Sequence, residues 1–270
     1  MKRVLFLLLC LPLRASAQTV PFDLRDGFLI VSRCSVGTLP NLVAVVDTGV
    51  TETTLDLRIA KRLALSMRPD AATVGTRSAV IQEVSIPNIE FGPLHSESLT
   101  GIAADLSPLT YQMGIRPDVL IGMDLLELKR FVIDYRTRTI TFGESPSFKY
   151  STTLVLKPHL ALLDLTADGK TLRLQLDTGF NAILVYGGKL RGSPSQELDS
   201  HAAGFGLRVQ AQPAYIRQAQ IGNWRSKSLT AYVTDESPST EAGFDGLLGP
   251  KALGIRRLAI DLESQTLSWE

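Results

Sequence analysis

Two Asp-Thr-Gly triplets are the residues of this sequence whose types and spacing could do chemistry. Residues 47–49 follow the apolar run at 42–46, and residues 177–179 follow an apolar-rich strand at 172–176. A carboxylate at the end of an apolar strand is costly unless something compensates its charge. Each aspartate could supply that compensation for the other, because two carboxyl groups in one site share a proton.

Such a carboxyl pair is suited to amide hydrolysis. The ionised aspartate acts as a general base on a water, and the protonated one donates to the carbonyl oxygen under attack. We therefore predict Asp47 and Asp177 as the catalytic residues. The glycines allow a tight turn that donates N–H groups to the carboxylates, and each threonine hydroxyl can reach the opposite loop. The residues predicted to support the dyad are Thr48, Gly49, Thr178 and Gly179.

An internal repeat places the two triplets in equivalent positions. Residues 118–142 (DVLIGMDLLELKRFVIDYRTRTITF) align without a gap with residues 245–269 (DGLLGPKALGIRRLAIDLESQTLSW). Each half therefore has a strand, the triplet, a variable middle, an apolar-apolar-Gly element, a short helix and a closing hairpin. A repeat of this kind predicts a pseudo-twofold axis on which the two aspartates meet.

The pattern within each half is mainly β, with short strands between turn signals. Short helices are predicted at 56–65 and 124–130, the second with Asp124 as its N-cap. We place an N-terminal lobe at 18–145 and a C-terminal lobe at 146–270. Strands are predicted at 28–36, 42–46, 79–86, 131–135 and 139–142.

The N-terminal segment is typical of a secretory signal peptide. Lys2 and Arg3 precede the apolar run 4–13, and small residues at 15–17 form a cleavage signal. Cleavage after Ala17 would leave Cys34 as the single thiol, so no intrachain disulfide is expected. We expect a secreted or periplasmic protein, since no later segment has the roughly 20 apolar residues of a membrane span.

Charge and composition argue against several other functions. The net charge is +1, which favours neither nucleic acid nor an anionic membrane as a partner. The three histidines lie far apart and show no ligand spacing, so we predict no metal and no cofactor. A serine or cysteine hydrolase is disfavoured because Cys34 lies in an apolar strand and no Gly-x-Ser-x-Gly occurs.

The two triplets with their downstream elements resemble the aspartic protease superfamily, both the two-lobed pepsins and the single-lobe retropepsins. In that family an apolar-apolar-Gly element packs behind each catalytic loop. The resemblance implies a bilobal fold of two β-barrel-like lobes with short helices. It also implies an endopeptidase acting as a monomer on peptide or unfolded protein. The elements assigned to loop packing are Leu120, Ile121, Gly122, Leu247, Leu248 and Gly249.

The sequence departs from the pepsin pattern at Val50 and Phe180, where pepsins carry a hydroxyl residue that bonds the carboxylates. Its loss predicts a less acidic dyad, and the bulk of Phe180 could crowd its loop. Candidate flaps are the turns at 73–77 and 204–206, which ordinary surface turns explain equally well. For Asp134 and Asp261 a structural role in the closing hairpins is favoured.

Two alternatives to a monomeric enzyme stay open from the sequence alone. One is a catalytically silent protein that keeps the fold and binds a peptide or other ligand. The other is a protease assembled as a dimer in which each half pairs across chains.

Overall fold

The computed structural model describes residues 18–74, 77–144, 146–191, 201–203, 208–235 and 243–270. The predicted signal peptide, the tips of both candidate flaps and most of the polar run 190–200 lie outside these ranges. No helix in the described ranges has the length and apolar character that crossing a membrane requires.

Strands dominate the first half of the chain. Its helical segments are α1 (Leu57–Arg62), a 3-10 turn at Ser107–Leu109, α2 (Thr110–Met113) and α3 (Met123–Leu126). In chain order the strands are β1 (Gln18–Pro21), β2 (Asp23–Arg25), β3 (Leu29–Val36), β4 (Leu39–Val46), β5 (Thr54–Asp56), β6 (Met67–Val74), β7 (Arg77–Phe91), β8 (Leu94–Ala104), β9 (Val119–Ile121), β10 (Phe131–Asp134) and β11 (Thr139–Phe142).

The described part of the second half is built in the same way and contains one 3-10 turn, at Pro250–Leu253. Its strands are β12 (Tyr150–Thr153), β13 (Val155–Lys157), β14 (Leu160–Ala167), β15 (Lys170–Leu176), β16 (Ile183–Val185), β17 (His201–Ala203), β18 (Arg208–Gln210), β19 (Gln212–Ile216), β20 (Ala219–Ile221), β21 (Trp224–Ser226), β22 (Leu229–Val233), β23 (Gly246–Leu248), β24 (Arg257–Asp261) and β25 (Thr266–Trp269). The prediction of a mainly β chain with short helices is thus confirmed, and the curled sheets are compatible with a β-barrel-like protease fold.

Each half has a large sheet of its own, and the centres of the two sheets share one topology. The first runs β2-β3-β4-β9-β5-β8-β7-β6, and the second β19-β22-β16-β23-β15-β14-β20-β21. In the first, β4 pairs antiparallel with β3 and parallel with β9, and β5 pairs antiparallel with β9 and parallel with β8. The second sheet repeats these four pairings: β15 pairs antiparallel with β14 and parallel with β23, and β16 pairs antiparallel with β23 and parallel with β22. The boundary near Pro146 stays a prediction.

A third sheet joins the halves in the order β1-β11-β10-β24-β25-β12. The predicted closing hairpins, β10–β11 and β24–β25, are both present and pair with each other through β10 and β24. Two ion pairs cross this junction: Arg257 Nε lies 3.2 Å from Asp134, and Arg130 lies 3.7 Å from Asp261. Both arginines are therefore paired with a carboxylate of the other half.

The two aspartates of this junction also have the structural role that the sequence favoured. One oxygen of Asp134 accepts hydrogen bonds from the backbone N–H groups of Arg136 and Thr137, at 2.9 and 3.1 Å. Asp261 accepts one from Ser264 at 3.1 Å. Short local bonds of this kind hold the hairpin turns.

Apolar side chains on alternate strand positions form the main core. In β15, Leu172, Leu174 and Leu176 point into it, while Gln175 lies on the opposite face. The core continues through the joining sheet, where Phe131 and Trp269 are both buried. The two halves therefore share one hydrophobic core.

The predicted helix at 124–130 is shorter than expected and begins differently. It spans Met123–Leu126, and its N-cap is Gly122 rather than Asp124. The carboxylate of Asp124 instead accepts hydrogen bonds from the backbone N–H and the hydroxyl of Thr53, at 2.8 and 2.7 Å. The first helix fits its prediction better, because Asp56 caps it by accepting from the N–H of Arg58.

Candidate active site

The two predicted catalytic aspartates occupy equivalent places at the ends of β4 and β15. Each strand lies parallel to the short strand of its apolar-apolar-Gly element, β9 or β23. The N–H of Asp47 donates to Ile121 O at 3.1 Å, and that of Asp177 donates to Leu248 O at 3.0 Å. Both loops thus begin from a strand held on each side by backbone hydrogen bonds.

The glycines that end the apolar-apolar-Gly elements lie against the backbone of the aspartate loops. A Cβ atom on Gly122 would come within 2.9 Å of the Thr53 nitrogen, and one on Gly249 within 2.1 Å of the Phe180 oxygen. Real Cβ atoms essentially never approach backbone this closely, so both positions require glycine. The structure therefore places Gly122 and Gly249 directly behind the two loops.

Four hydrogen bonds between the loops involve the threonine hydroxyls. Thr48 Oγ1 donates to Leu176 O at 2.9 Å and accepts from the N–H of Thr178 at 3.0 Å. Thr178 Oγ1 donates to Val46 O at 3.2 Å and accepts from the N–H of Thr48 at 3.1 Å. The predicted reach of each hydroxyl to the opposite loop is found, and it fixes the loops relative to each other.

The two carboxyl groups are brought together by this arrangement. They form a side-chain hydrogen bond to each other. The backbone N–H groups of Gly49 and Gly179 each donate to their own aspartate at 2.8 Å. A Cβ on Gly49 would lie 2.4 Å from the Asp177 carboxyl carbon, and one on Gly179 would lie 2.4 Å from an Asp47 oxygen. Each glycine therefore makes room for the opposite carboxyl.

Burial controls the protonation of the pair, since Asp47 is 3 % exposed and Asp177 9 %. Burial raises the pKa of Asp177 well above its usual range, and the charge of Asp47 and their hydrogen bond raise it further. Burial also raises the pKa of Asp47, against hydrogen bonds from Gly49, Asp177 and Gly179 that lower it. The pair therefore keeps a proton at pH values where an ordinary carboxyl group has lost its own.

The residues after the triplets pack into apolar clusters beside the loops. Phe180 is 1 % exposed and belongs to a cluster with Leu184, Tyr186 and Leu247. Val50 packs against the corresponding cluster of the first half. Neither side chain carries a hydroxyl, which removes the hydrogen bond that would favour the ionised dyad.

Gln175 is a contact of the site that the sequence did not reveal. It lies two residues before Asp177, is 3 % exposed, and donates from Nε2 to the carbonyl oxygen of Gly49 at 3.0 Å. This bond ties the strand of one aspartate to the loop of the other. The repeat could not have identified it, because the corresponding residue of β4 is the apolar Val45.

The contact between Asp124 and Thr53 is a second support that the sequence did not reveal. It joins α3 to the end of the first aspartate loop, where the N–H groups of Met123 and Asp124 also donate to Val50 O and Thr51 O, at 2.9 and 3.1 Å. The sequence indicated only that Asp124 could cap a helix, and it did not indicate a contact with Thr53. The first loop is therefore anchored from behind by a buried carboxylate.

The candidate flaps lie on hairpins whose tips fall outside the described residues. Strands β6 and β7 pair antiparallel up to Val74 and Arg77, and β17 and β18 pair on either side of residues 204–207. Hairpins are thus found at both predicted places. Their role as flaps stays a prediction.

Two observations concern possible metal ligands and the thiol in the parts of the chain that the structure describes. No group of three or more His, Cys, Asp or Glu side chains there could hold a metal ion. Cys34 is buried, and burial raises the pKa of its thiol to about 12. A thiol with so high a pKa stays protonated at ordinary pH and is a poor nucleophile.

Comparison with known families agrees with this geometry. Residues 33–125 match the family described as Aspartyl protease. This match supports an aspartic protease of the retropepsin-like family, and the matched segment contains the Asp47 loop and the element ending at Gly122. Asp177 and the second half lie outside the matched segment. No curated protein matches the chain.

Proposed function

We propose that this chain is an aspartic endopeptidase that hydrolyses peptide bonds with a water activated by Asp47 and Asp177. The observation that carries the proposal is the meeting of two buried carboxyl groups on loops joined by four threonine hydrogen bonds. A single proton shared by such a pair gives one general acid and one general base in the same site. The aspartyl protease match over residues 33–125 supports a hydrolase of the protease type.

The reaction follows from the two protonation states of the pair. A water held between the carboxyl groups loses a proton to the ionised one as its oxygen attacks the peptide carbonyl carbon. The protonated carboxyl donates to the carbonyl oxygen, which gives a neutral tetrahedral intermediate. Transfer of a proton to the amide nitrogen then breaks the C–N bond and releases an amine and a carboxylic acid. The shared proton is assigned to the pair of carboxyl groups and not to either aspartate alone.

The proposal includes a place of action and a state of assembly. The apolar N-terminal run and its small-residue cleavage signal support a secreted or periplasmic enzyme. Both aspartates of the pair come from one chain, which supports a monomer. The substrate is then an extended peptide or an unfolded protein.

Proteolysis of an unfolded protein mixture across pH 3 to 8 tests this proposal. Asp47→Asn and Asp177→Asn are each expected to lower the rate by at least roughly 10²–10⁴-fold, the usual contribution of general acid–base catalysis. Asp134→Asn is the matched control, since its carboxylate holds a turn in the joining sheet. It should stay active.

Two results would contradict the proposal. Cleavage that persists in both variants would place the chemistry elsewhere. A wild-type protein that is folded yet inactive throughout this pH range would favour a binding protein that keeps the fold without catalysis. Sedimentation would separately distinguish a monomer from a dimer with exchanged halves.

A further inference from the structure

Positive charge is concentrated in one part of the second half. Residues 201–234 contain Arg208, Arg217, Arg225 and Lys227 and no aspartate or glutamate. The whole chain is nearly balanced, with 28 Lys and Arg against 27 Asp and Glu. This local excess therefore does not follow from the overall composition.

The fold gathers three of these cations, Arg217, Arg225 and Lys227, with others around the turn that joins β19 to β20. A groove of about 730 Å³ on one side of the turn is lined by Lys170, Lys189, Arg191 and Arg217. An adjoining groove is lined by Arg217, Arg225 and Lys227. We call the two together the basic groove. Its cations come from three separate parts of the second half, so it is formed by the tertiary structure.

Most of this charge is not neutralised by the protein itself. Lys189 pairs with Asp245. The other five cations have no carboxylate partner among the residues that the structure describes. Asp168 also lines the groove and keeps its negative charge, with one oxygen accepting the N–H groups of Arg217 and Gln218 at 3.0 and 2.8 Å. The six cations still outnumber Asp168 and Asp245. The basic groove is thus a strong positive surface.

The floor of the first groove is an edge strand. Over the described ranges, β19 pairs only with β22, so the polar backbone groups on its other side have no strand partner. Tyr215 of β19 is 67 % exposed and lies among the cations. A free strand edge can accept an added strand, which gains backbone hydrogen bonds along its length.

We propose that the basic groove is a docking site for an extended acidic peptide segment that lies along β19. The strand edge would bind the peptide backbone, and the cations would select glutamate and aspartate side chains by charge complementarity. A nucleic acid could use the charges but has no peptide groups to pair with β19. This site goes beyond the proposed hydrolysis and does not depend on the dyad.

Fluorescence anisotropy of a labelled 12-residue peptide tests the site on the full chain. The probe alternates glutamate with valine, and the control probe has glutamine in place of every glutamate. We expect the acidic probe to bind at least about tenfold more tightly, with an affinity that falls as salt is added. Asp177→Asn should bind both probes as the wild type does, which separates this result from any failure of catalysis.

Charge reversal locates the binding. The triple variant Arg217→Glu, Arg225→Glu, Lys227→Glu should lower the affinity for the acidic probe by about tenfold or more. The matched control reverses Lys61 and Arg62, which are exposed at the end of α1, and should leave binding unchanged.

Four outcomes would overturn the proposal. The first is equal binding of the acidic and glutamine probes, and the second is equal loss in the triple variant and its control. The third is displacement of the probe by single-stranded DNA of matched length with the same affinity, which would show a general polyanion site. If the wild type binds neither probe and the triple variant self-associates, the cations only block edge-to-edge pairing of strands.

Discussion

Replacing Thr48 by valine tests the cross-loop hydrogen bonds most directly. Valine has nearly the shape of threonine, so the change removes the hydroxyl without opening a cavity. Leu176 O and the N–H of Thr178 then lose their partners in a site where Thr48 is fully buried. Each buried polar group left unpaired costs about 1–3 kcal/mol. The free energy of unfolding should therefore fall by about 2–6 kcal/mol.

Urea unfolding followed by tryptophan fluorescence measures this loss, because Trp269 is buried in the sheet that joins the halves. Thr48→Ser is the matched control: it keeps the hydroxyl and loses one methyl group, at a cost of about 1 kcal/mol. Thr178→Val should resemble Thr48→Val, since its hydroxyl makes the mirror-image bonds. If the valine and serine variants at position 48 unfold within about 0.5 kcal/mol of each other, the hydroxyl does not hold the loops together.

Other predictions concern the protonation of the dyad and the packing behind it. Because both pKa values are raised, the rate of proteolysis should peak above about pH 3, and an optimum below this value would contradict the raised values. The stability of the wild type should fall as the pH rises from the ordinary carboxyl range through the raised pKa of Asp177. The melting temperature of Asp177→Asn should therefore rise relative to that of the wild type between pH 4 and 7. A difference in melting temperature that does not change with pH would contradict this. Gly249→Ala should cost at least about 3 kcal/mol in urea unfolding because its Cβ overlaps Phe180 O, and a variant of wild-type stability would show that the loop can shift. Gln175→Leu should lower kcat more than it raises KM if the bond to Gly49 O positions the dyad; unchanged kinetics would assign that bond to stability alone.

Much of the candidate site could be predicted because its signals are local and occur twice. Each Asp-Thr-Gly triplet ends an apolar strand, and each has an apolar-apolar-Gly element at a similar distance. Gly49 is required by the close approach of the Asp177 carboxyl group and Gly122 by the close approach of backbone, and in both cases the glycine is visible in the sequence. The hairpins that close the two halves were equally readable, because each lies within one short segment.

Contacts between segments that lie far apart in the chain could not be predicted from the sequence. Gln175 contacts Gly49 across the site, and nothing in the alternating leucines and polar residues of β15 indicates that partner for the glutamine. Asp124 was assigned to a helix cap because a local rule fitted it, whereas its carboxylate bonds Thr53, 71 residues away. The pairing of β10 with β24 likewise depends on how the two halves pack, which no local pattern records.

The sheet that joins the halves also determines the stage of folding at which the candidate active site can form. Its central pair, β10 and β24, joins two strands that are far apart in the sequence, one from each half of the chain. Pairings between segments so distant in sequence form late in folding, because a long loop must close first. During synthesis Asp47 emerges from the ribosome long before Asp177 and its supporting strands. On the proposed function, a nascent chain that lacks the second half therefore cannot cut proteins around it, and hydrolytic activity arises only after both halves have folded together.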